Sequence, residues 1–201
     1  MATIYNGWVS RHLNRRVSVP MARLLAQTPA TPNQVSVGAL LIAIGSMAAY
    51  IAGVGYLGGI LAQISSIVDG ADGDLARLKG ITSAFGGFFD SVLDRYADSA
   101  VLLGLTYWAA EGSGAGVWSV GFAALAGTFA VTYTRARIET VPGRPFDTGL
   151  ASAASRDVRL MIVMIGSIAG LGFPTLLVIA ILTNSVVALR IWRARAVFAG
   201  Q

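Results

Sequence analysis

The sequence predicts an all-α integral membrane protein in which six transmembrane helices follow an amphipathic helix at the membrane interface. Hydrophobic residues make up 55% of the 201 residues, and the mean hydropathy is +0.66. Charged residues make up only 12%, about half the share found in ordinary soluble domains. The apolar residues fall into runs that approach the ~20 residues a helix needs to cross a bilayer. We therefore expect a single membrane domain over residues 1–201.

The composition excludes several kinds of site. Cysteine is absent, which excludes disulfides, thiolate nucleophiles, zinc–thiolate sites and iron–sulfur clusters. His12 is the only histidine, so a multi-histidine metal site and a histidine-based triad are excluded too. The N-terminal residues lack the basic region and apolar core of a cleavable signal peptide. The net charge of +5 lies in clusters beside apolar runs. Such clusters are typical of membrane topology, so we expect no nucleic-acid partner.

Residues 5–27 have the pattern of an amphipathic helix that lies in the membrane interface. The arginines fall mainly off its apolar stripe, and Trp8 suits an interfacial position. We expect a break near Ser18, with Pro20 opening a second short helix. A soluble helix packed on the body of the protein is the alternative. The apolar stripe consists of Val9, Leu13, Val17, Met21 and Leu24.

Six apolar runs follow a turn and helix start at Thr31-Pro32-Asn33. Together they predict a six-helix transmembrane bundle over residues 34–194. Glycine-rich or polar stretches separate the runs, and the fifth run is short for a membrane span. The expected limits of the spans are 34–54, 56–78, 83–110, 116–138, 156–171 and 174–194.

The basic residues predict the orientation of this bundle. With six spans, every basic cluster falls on one side of the membrane, while the loops near residues 54, 112 and 172 contain no Lys or Arg. The positive-inside rule makes the basic side cytoplasmic, so both termini are expected there. The clusters are Arg11, Arg15, Arg16 and Arg23; Arg77 and Lys79; Arg135, Arg137, Arg144, Arg156 and Arg159; and Arg190, Arg193 and Arg195.

One stretch, residues 68–96, holds five of the ten acidic residues between two apolar regions. Asp69 and Asp72 are spaced i, i+3, and Asp90 and Asp94 are spaced i, i+4, so each pair lies on one helix face. Two such faces brought together form an all-oxygen pocket, which hard cations such as Mg²⁺ or Mn²⁺ prefer. Carboxylates in membrane-like sequence are costly and indicate a functional site. The expected topology opens this site to the cytoplasm.

The same stretch resembles the signature of the CDP-alcohol phosphotransferase family. All eight fixed positions match over 26 residues with no gap. The six-span layout with an N-terminal interfacial helix extends the resemblance across the chain. The matching residues are Asp69-x2-Asp72-Gly73-x2-Ala76-Arg77-x8-Gly86-x3-Asp90-x3-Asp94.

The resemblance implies the reaction. The family transfers a phosphoalcohol group from a CDP-alcohol to a hydroxyl and releases CMP. Phosphoryl transfer depends mainly on positioning and charge neutralisation, and two metal ions about 3.5–4 Å apart could bridge the diphosphate. The expected Mg²⁺ or Mn²⁺ ligands are Asp69, Asp72 and Asp90. Asp94 is expected both to bind metal and to act as general base on the acceptor hydroxyl, as the resemblance implies.

The remaining signature residues are expected to bind the CDP-alcohol together with Asp72. Gly73, Ala76 and Gly86 have no side chain or only a methyl group, which lets a nucleotide approach the backbone. Arg77 can hold a phosphate in a bidentate contact. The alternatives are close helix packing for the glycines and a topological anchor for the arginine.

The acceptor is predicted from a second group of basic residues, Arg135, Arg156 and Arg159. Several guanidiniums at the cytoplasmic opening of the site suit an anionic acceptor such as an inositol phosphate. The resemblance is closest to the membrane domain of di-myo-inositol phosphate phosphate synthases, which share the entry segment 10–20, the Asp69-Gly70-Ala71-Asp72-Gly73 segment and an RDVR-like segment at 156–159.

The sequence does not determine the identity of the donor. Those synthases use CDP-inositol and are often fused to a soluble cytidylyltransferase domain, which the 201 residues do not contain. A phospholipid synthase that uses CDP-diacylglycerol is the alternative within the family, and the resemblance also implies a homodimer. A cation-coupled transporter is the alternative of another class, although no inverted repeat or pair of broken helices is visible.

Overall fold

The computed structural model describes residues 14–112, 114, 116–139 and 154–198, and within these residues the protein is entirely helical. This confirms the all-α class. Seven helices follow one another in these parts of the chain. They are α1 (Arg15–Ala26), α2 (Pro32–Ile51), α3 (Gly55–Lys79), α4 (Ala84–Ala110), α5 (Gly116–Glu139), α6 (Arg156–Ile168) and α7 (Gly172–Phe198).

Three of the helices are long and apolar enough to cross a membrane: α2, α5 and α7. Helices α3 and α4 are as long, but they carry the acidic residues of the signature. Helix α6 has 13 residues and is about 20 Å long, short of the ~30 Å of a hydrocarbon core. The helix limits agree closely with the predicted ones. The count of six spans stays a prediction.

Helix α1 differs from the prediction in its continuity. It runs unbroken through Pro20, where a break was expected. A proline inside a helix costs about 3 kcal/mol because it removes one backbone hydrogen bond. Packing of Met21, Ala22 and Leu25 against apolar residues of α3 favours the continuous helix. Val17 and Leu24 of the predicted apolar stripe are exposed, and the part of the predicted helix before residue 14 lies outside the described residues.

The connection from α1 to α2 is fixed at both of its ends. Thr31 caps α2 with its side chain, which accepts a hydrogen bond from the backbone of Gln34, while the Gln34 side chain accepts one from Thr31 N. The predicted helix start is therefore confirmed. Lys79, the last residue of α3, donates hydrogen bonds of 2.6 and 2.7 Å to the carbonyls of Thr28 and Ala30. The start of α2 is thus held against the end of α3.

Helix α3 ends at a left-handed glycine. Gly80 has φ +67°, and its backbone N–H bonds to carbonyls of the last turn. Only glycine adopts this conformation without strain. Ser83 then caps α4 by accepting a hydrogen bond of 3.0 Å from Gly86 N. This short turn sets the angle between the two helices that carry the acidic residues.

Tyr50 organises the other end of α2. Its ring is fully buried, lies against Gly58 of α3, and sits 5.8 Å from the Trp108 ring of α4 between centroids. Its hydroxyl is 2.6 Å from Ser167 Oγ of α6. One side chain therefore contacts three helices and satisfies its polar atom inside an apolar core.

Small residues allow the helices to approach closely in this region. A Cβ added to Gly104 of α4 would lie 2.7 Å from Met47 Cα and 3.1 Å from Tyr50. The first of these atoms belongs to the backbone of α2 and cannot move aside. The contact between α2 and α4 therefore depends on the absence of a side chain at residue 104.

We predict that Gly104→Ala destabilises the protein by about 1–3 kcal/mol because the added methyl group overpacks the α2–α4 contact. Thermal unfolding of the purified protein in detergent measures the loss. Gly38→Ala is the matched control, since a Cβ at Gly38 meets no atom within 4 Å. Equal midpoints for the two variants would contradict the close packing at Gly104.

Candidate active site

The four aspartates of the signature come together where α3 and α4 meet. Carboxylate oxygens of Asp69, Asp72 and Asp90 lie within 4.8 Å of one another. Side-chain contacts at hydrogen-bond distance join Asp69 to Asp94 and Asp72 to Asp90. The helical spacing of the sequence thus produces two facing pairs of carboxylates, one pair on each helix.

This arrangement fits a hard divalent cation. Carboxylates at such short distances repel one another unless a cation or a proton compensates them. Asp90 Oδ1 is buried and makes no hydrogen bond to the protein. A buried oxygen without a donor is costly, and a bound cation would satisfy it. The all-oxygen donor set is the one that Mg²⁺ and Mn²⁺ prefer.

The first residue of α6, Arg156, projects into this carboxylate centre. Its Nη1 atom lies 2.5 Å from Asp69 Oδ2 and 2.7 Å from Asp94 Oδ1. Its Nε atom donates a hydrogen bond of 3.2 Å to Asp98 Oδ1. Arg95 lies 3.4 Å from the other oxygen of Asp94. Sequence reasoning assigned Arg156 to the acceptor, whereas the structure places it between two expected metal ligands.

Arg159 lies one turn further along α6 and is buried. It donates hydrogen bonds of 2.8 Å to Asp98 Oδ2 and 2.6 Å to the carbonyl of Ala154. Asp98 itself is 3% exposed, so its charge depends on these guanidiniums. The ion pairs of Asp98 join it to the two arginines of α6.

The third predicted acceptor residue, Arg135, is half-buried near the end of α5. The three arginines therefore occupy different environments. Arg156 contacts the carboxylates, Arg159 supports Asp98, and Arg135 comes from another helix. Arg144, which the topology prediction included, lies outside the described residues.

A pocket of about 320 Å³ opens beside the carboxylate centre. Its wall includes two of the clustered aspartates and all four of the other signature residues expected to bind the donor. The start of α2 and the α3–α4 turn supply the rest. The lining residues are Thr31, Pro32, Asn33, Ser36, Asp72, Gly73, Ala76, Arg77, Ile81, Thr82, Ser83, Gly86, Gly87 and Asp90.

The signature glycines line this pocket, and the nearest neighbours of each are side-chain atoms. A Cβ added to Gly73 would meet only the end of the Arg77 side chain, at 3.6 Å. At Gly86 it would meet Ser83 Oγ at 3.1 Å and Asn33 Oδ1 at 3.7 Å. Neither glycine lies against the backbone of another helix, unlike Gly104. Helix packing therefore does not explain them.

Arg77 is held at the rim of the pocket by an ion pair with Asp74. Asp74 is mostly buried, and Arg15 of α1 contacts the same oxygen at 3.4 Å. The Arg77 side chain is 61% exposed. It is therefore positioned but accessible, as a phosphate-binding group needs to be.

Two features of the site escaped the sequence analysis. Ser36 of α2 is buried and donates a hydrogen bond to Asp72. Asn14 donates a hydrogen bond to Ser66 (3.3 Å) and accepts one from Gln63 (2.8 Å), which ties the residue preceding α1 to α3. For Ser36, the available signal was a polar residue within an apolar helical run. Its partner could not be predicted, because that partner depends on tertiary packing.

The sequence profile of the CDP-alcohol phosphatidyltransferase family matches residues 29–181. The chain belongs to this family. Curated relatives of the chain are named as transferases and synthases, so the chain belongs to a family of enzymes. A cation-coupled transporter, the alternative of another class, is thereby set aside.

The relatives of this chain include proteins of two lengths. A bifunctional IPC transferase and DIPP synthase of Rubrobacter xylanophilus is 40% identical over 180 residues, which cover 90% of this chain and 41% of the relative. The chain thus spans less than half the length of such bifunctional relatives. An archaetidylinositol phosphate synthase of Pyrococcus horikoshii is 34% identical over 157 residues, covering 76% of this chain and 79% of the relative.

Solved structures share the fold. The phosphatidylinositol phosphate synthase of Mycobacterium tuberculosis with CDP-DAG bound has a TM-score of 0.73 at 24% identity, with 88% of this chain and 92% of that one covered. The same enzyme in complex with manganese and citrate has a TM-score of 0.70 at 22% identity, with 87% of both chains covered.

We predict that Ser36→Ala weakens Mn²⁺ binding by about tenfold, since partners that orient metal ligands commonly contribute 10–100-fold to affinity. Titration followed by electron paramagnetic resonance measures free Mn²⁺ directly. Ser46→Ala on the same helix is the matched control, because Ser46 bonds to the carbonyl of Gly58, away from the carboxylates. A loss of affinity shared by both variants would show that Ser36 has no particular role.

Proposed function

We propose that the protein transfers a phosphoalcohol group from a CDP-alcohol to a hydroxyl of a polar acceptor and releases CMP, with Mg²⁺ or Mn²⁺ as cofactor. One observation carries this proposal. A single pocket is lined by Asp72 and Asp90 of the carboxylate centre and by Gly73, Arg77 and Gly86 of the donor-binding signature. The predicted metal site and the predicted nucleotide site therefore share one cavity.

The donor is proposed to occupy the 320 Å³ pocket. Its volume is in the range of ligand pockets, about 300–1,000 Å³. Gly73, Ala76 and Gly86 leave the wall open to the nucleotide, and the exposed guanidinium of Arg77 suits its phosphates. Asp72 lies where the pocket meets the carboxylate centre, so the diphosphate would reach the aspartates there.

Asp69, Asp72 and Asp90 are proposed to hold the metal, because their oxygens converge and fit a hard cation. A bound divalent cation would neutralise the diphosphate and stabilise the leaving CMP. Asp94 is proposed as the residue that accepts the acceptor's hydroxyl proton and that also binds a second ion. Its two oxygens face Arg156 and Arg95, so opposite charges lie on both sides of the carboxylate.

An inositol phosphate is the proposed acceptor, with CDP-inositol as the donor. Support comes from the names of relatives, which include a DIPP synthase at 40% identity and an archaetidylinositol phosphate synthase at 34%. Arg135 and Arg156 are the proposed contacts for the acceptor phosphate. Arg159 is buried and bonded to Asp98, so we now assign it to positioning.

A phospholipid synthase that uses CDP-diacylglycerol is the second candidate. Exposed apolar side chains support it: Ile81 at the pocket and Phe85 and Phe88 on the first turns of α4 are each more than half exposed. Apolar surface beside a nucleotide pocket suits a donor with acyl chains. In the Mycobacterium tuberculosis structure of similar fold, CDP-DAG is bound.

The setting of the reaction is also proposed. The protein would be a single domain that crosses the membrane six times, with α1 in the interface and with both termini and the active site cytoplasmic. The apolar helices and the exposed Val17 and Leu24 of α1 support this placement. A homodimer is proposed from the family resemblance.

Purified protein with Mg²⁺ or Mn²⁺ is expected to release CMP when a CDP-alcohol and an inositol phosphate are both present. CDP-inositol, CDP-diacylglycerol and CDP-glycerol are compared as donors. Activity with CDP-inositol supports the first candidate, and activity with CDP-diacylglycerol alone supports the second. No CMP from any pair, with folded protein and added metal, would overturn the proposed function.

Asp69→Asn and Asp94→Asn are expected to differ in metal affinity while both lose turnover. Both carboxylates contact Arg156, but Asp69 belongs to the three whose oxygens converge and Asp94 does not. Calorimetric Mn²⁺ titration should therefore show the larger loss, about tenfold or more, for Asp69→Asn. Equal losses of affinity would contradict the separate base role of Asp94.

A further inference from the structure

We propose that Arg156 is a built-in counter-ion of the carboxylate centre, anchored by Asp98, and that a second divalent cation binds at Asp94 only when this guanidinium moves away. The proposal rests on the metal centre of the proposed function and adds an order of loading to it. Asp69, Asp72 and Asp90 would bind the first ion with Arg156 in place.

The position of the guanidinium is the first argument. Arg156 Nη1 lies between Asp69 Oδ2 at 2.5 Å and Asp94 Oδ1 at 2.7 Å, so it bridges α3 and α4. The side chain is 14% exposed. A cation that bridged the same two carboxylates would need this space. The guanidinium and a second metal ion therefore exclude each other at this point.

The charges of the centre are the second argument. Five carboxylates meet three guanidiniums there, which leaves two negative charges. One divalent cation compensates them. A second one would add an excess of positive charge in a buried site unless Arg156 withdrew or an anionic substrate arrived. The groups are Asp69, Asp72, Asp90, Asp94, Asp98, Arg95, Arg156 and Arg159.

The way Arg156 is held is the third argument. Its Nη1 and Asp94 Oδ1 approach closely but make no hydrogen bond of regular geometry. The contact is therefore one of charge, and a metal ion supplies the same charge to Asp94. At Nε, by contrast, Arg156 donates a regular hydrogen bond to Asp98.

Arg159 keeps Asp98 compensated during this movement. Arg159 bonds to the other oxygen of Asp98 and is itself bonded to the carbonyl of Ala154. Because the guanidinium is a rigid plane, Arg156 releases Asp98 when it leaves the carboxylates, and Arg159 remains as the partner of that buried aspartate. The released guanidinium would then be available to the acceptor's phosphate.

The test measures Mn²⁺ binding without any substrate, by electron paramagnetic resonance on the purified full chain. Wild-type protein is expected to bind one ion tightly and a second at least about tenfold more weakly, because a guanidinium in contact with a carboxylate opposes a second cation. Arg156→Gln should tighten the second site by about tenfold and the first site by less, because two of the three first-site ligands do not contact Arg156. Its thermal midpoint without metal should fall, and added Mn²⁺ should raise it more than in wild type.

Arg77→Gln is the matched control, because it removes the same charge near the pocket without contact to Asp69 or Asp94. Arg156→Lys retains the charge on a shorter side chain and should give the second site an affinity between those of wild type and Arg156→Gln. It replaces Arg156→Gln if the latter does not fold. Two equal sites in wild type, or the same tightening in Arg77→Gln, would overturn the role of Arg156. Absence of any Mn²⁺ binding would instead overturn the proposed metal centre.

Discussion

The structure depends on one constraint: five carboxylates must be accommodated at the meeting point of α3, α4 and α6 in a largely apolar protein. Buried charges of one sign are costly unless opposite charges and hydrogen bonds compensate them. Guanidiniums of α4 and α6 compensate part of this charge. What remains creates a demand for a cation. The centre therefore fits a hard divalent cation.

The helices around this centre position both the pocket and the carboxylates. The start of α2, fixed by Lys79 and the Thr31 cap, closes one side of the pocket. Helix α6 brings Arg156 to the carboxylates. The far ends of the helices are held by Tyr50, which contacts α3, α4 and α6. Rigid packing at one end thus supports an open, charged site at the other.

Much of this could be predicted because the information is local in the sequence. Spacings of three and four residues place carboxylates on a helix face, and the proline, glycine and capping residues mark where helices begin and end. The partner of Asp98, the contact of Ser36 and the placement of Arg156 could not be predicted, because each joins residues more than 30 positions apart. The predicted break of α1 near Pro20 was wrong for a similar reason: packing against α3 outweighs the local preference of proline.

Electron–nuclear double resonance of bound Mn²⁺ with a CDP-alcohol tests whether these carboxylates hold a metal against the diphosphate, since it detects phosphorus nuclei next to the ion. We expect ³¹P hyperfine coupling from the donor's diphosphate in the wild-type protein, and its loss in Asp90→Asn. CMP release from the same sample without any ³¹P coupling would contradict a metal held by these carboxylates against the diphosphate.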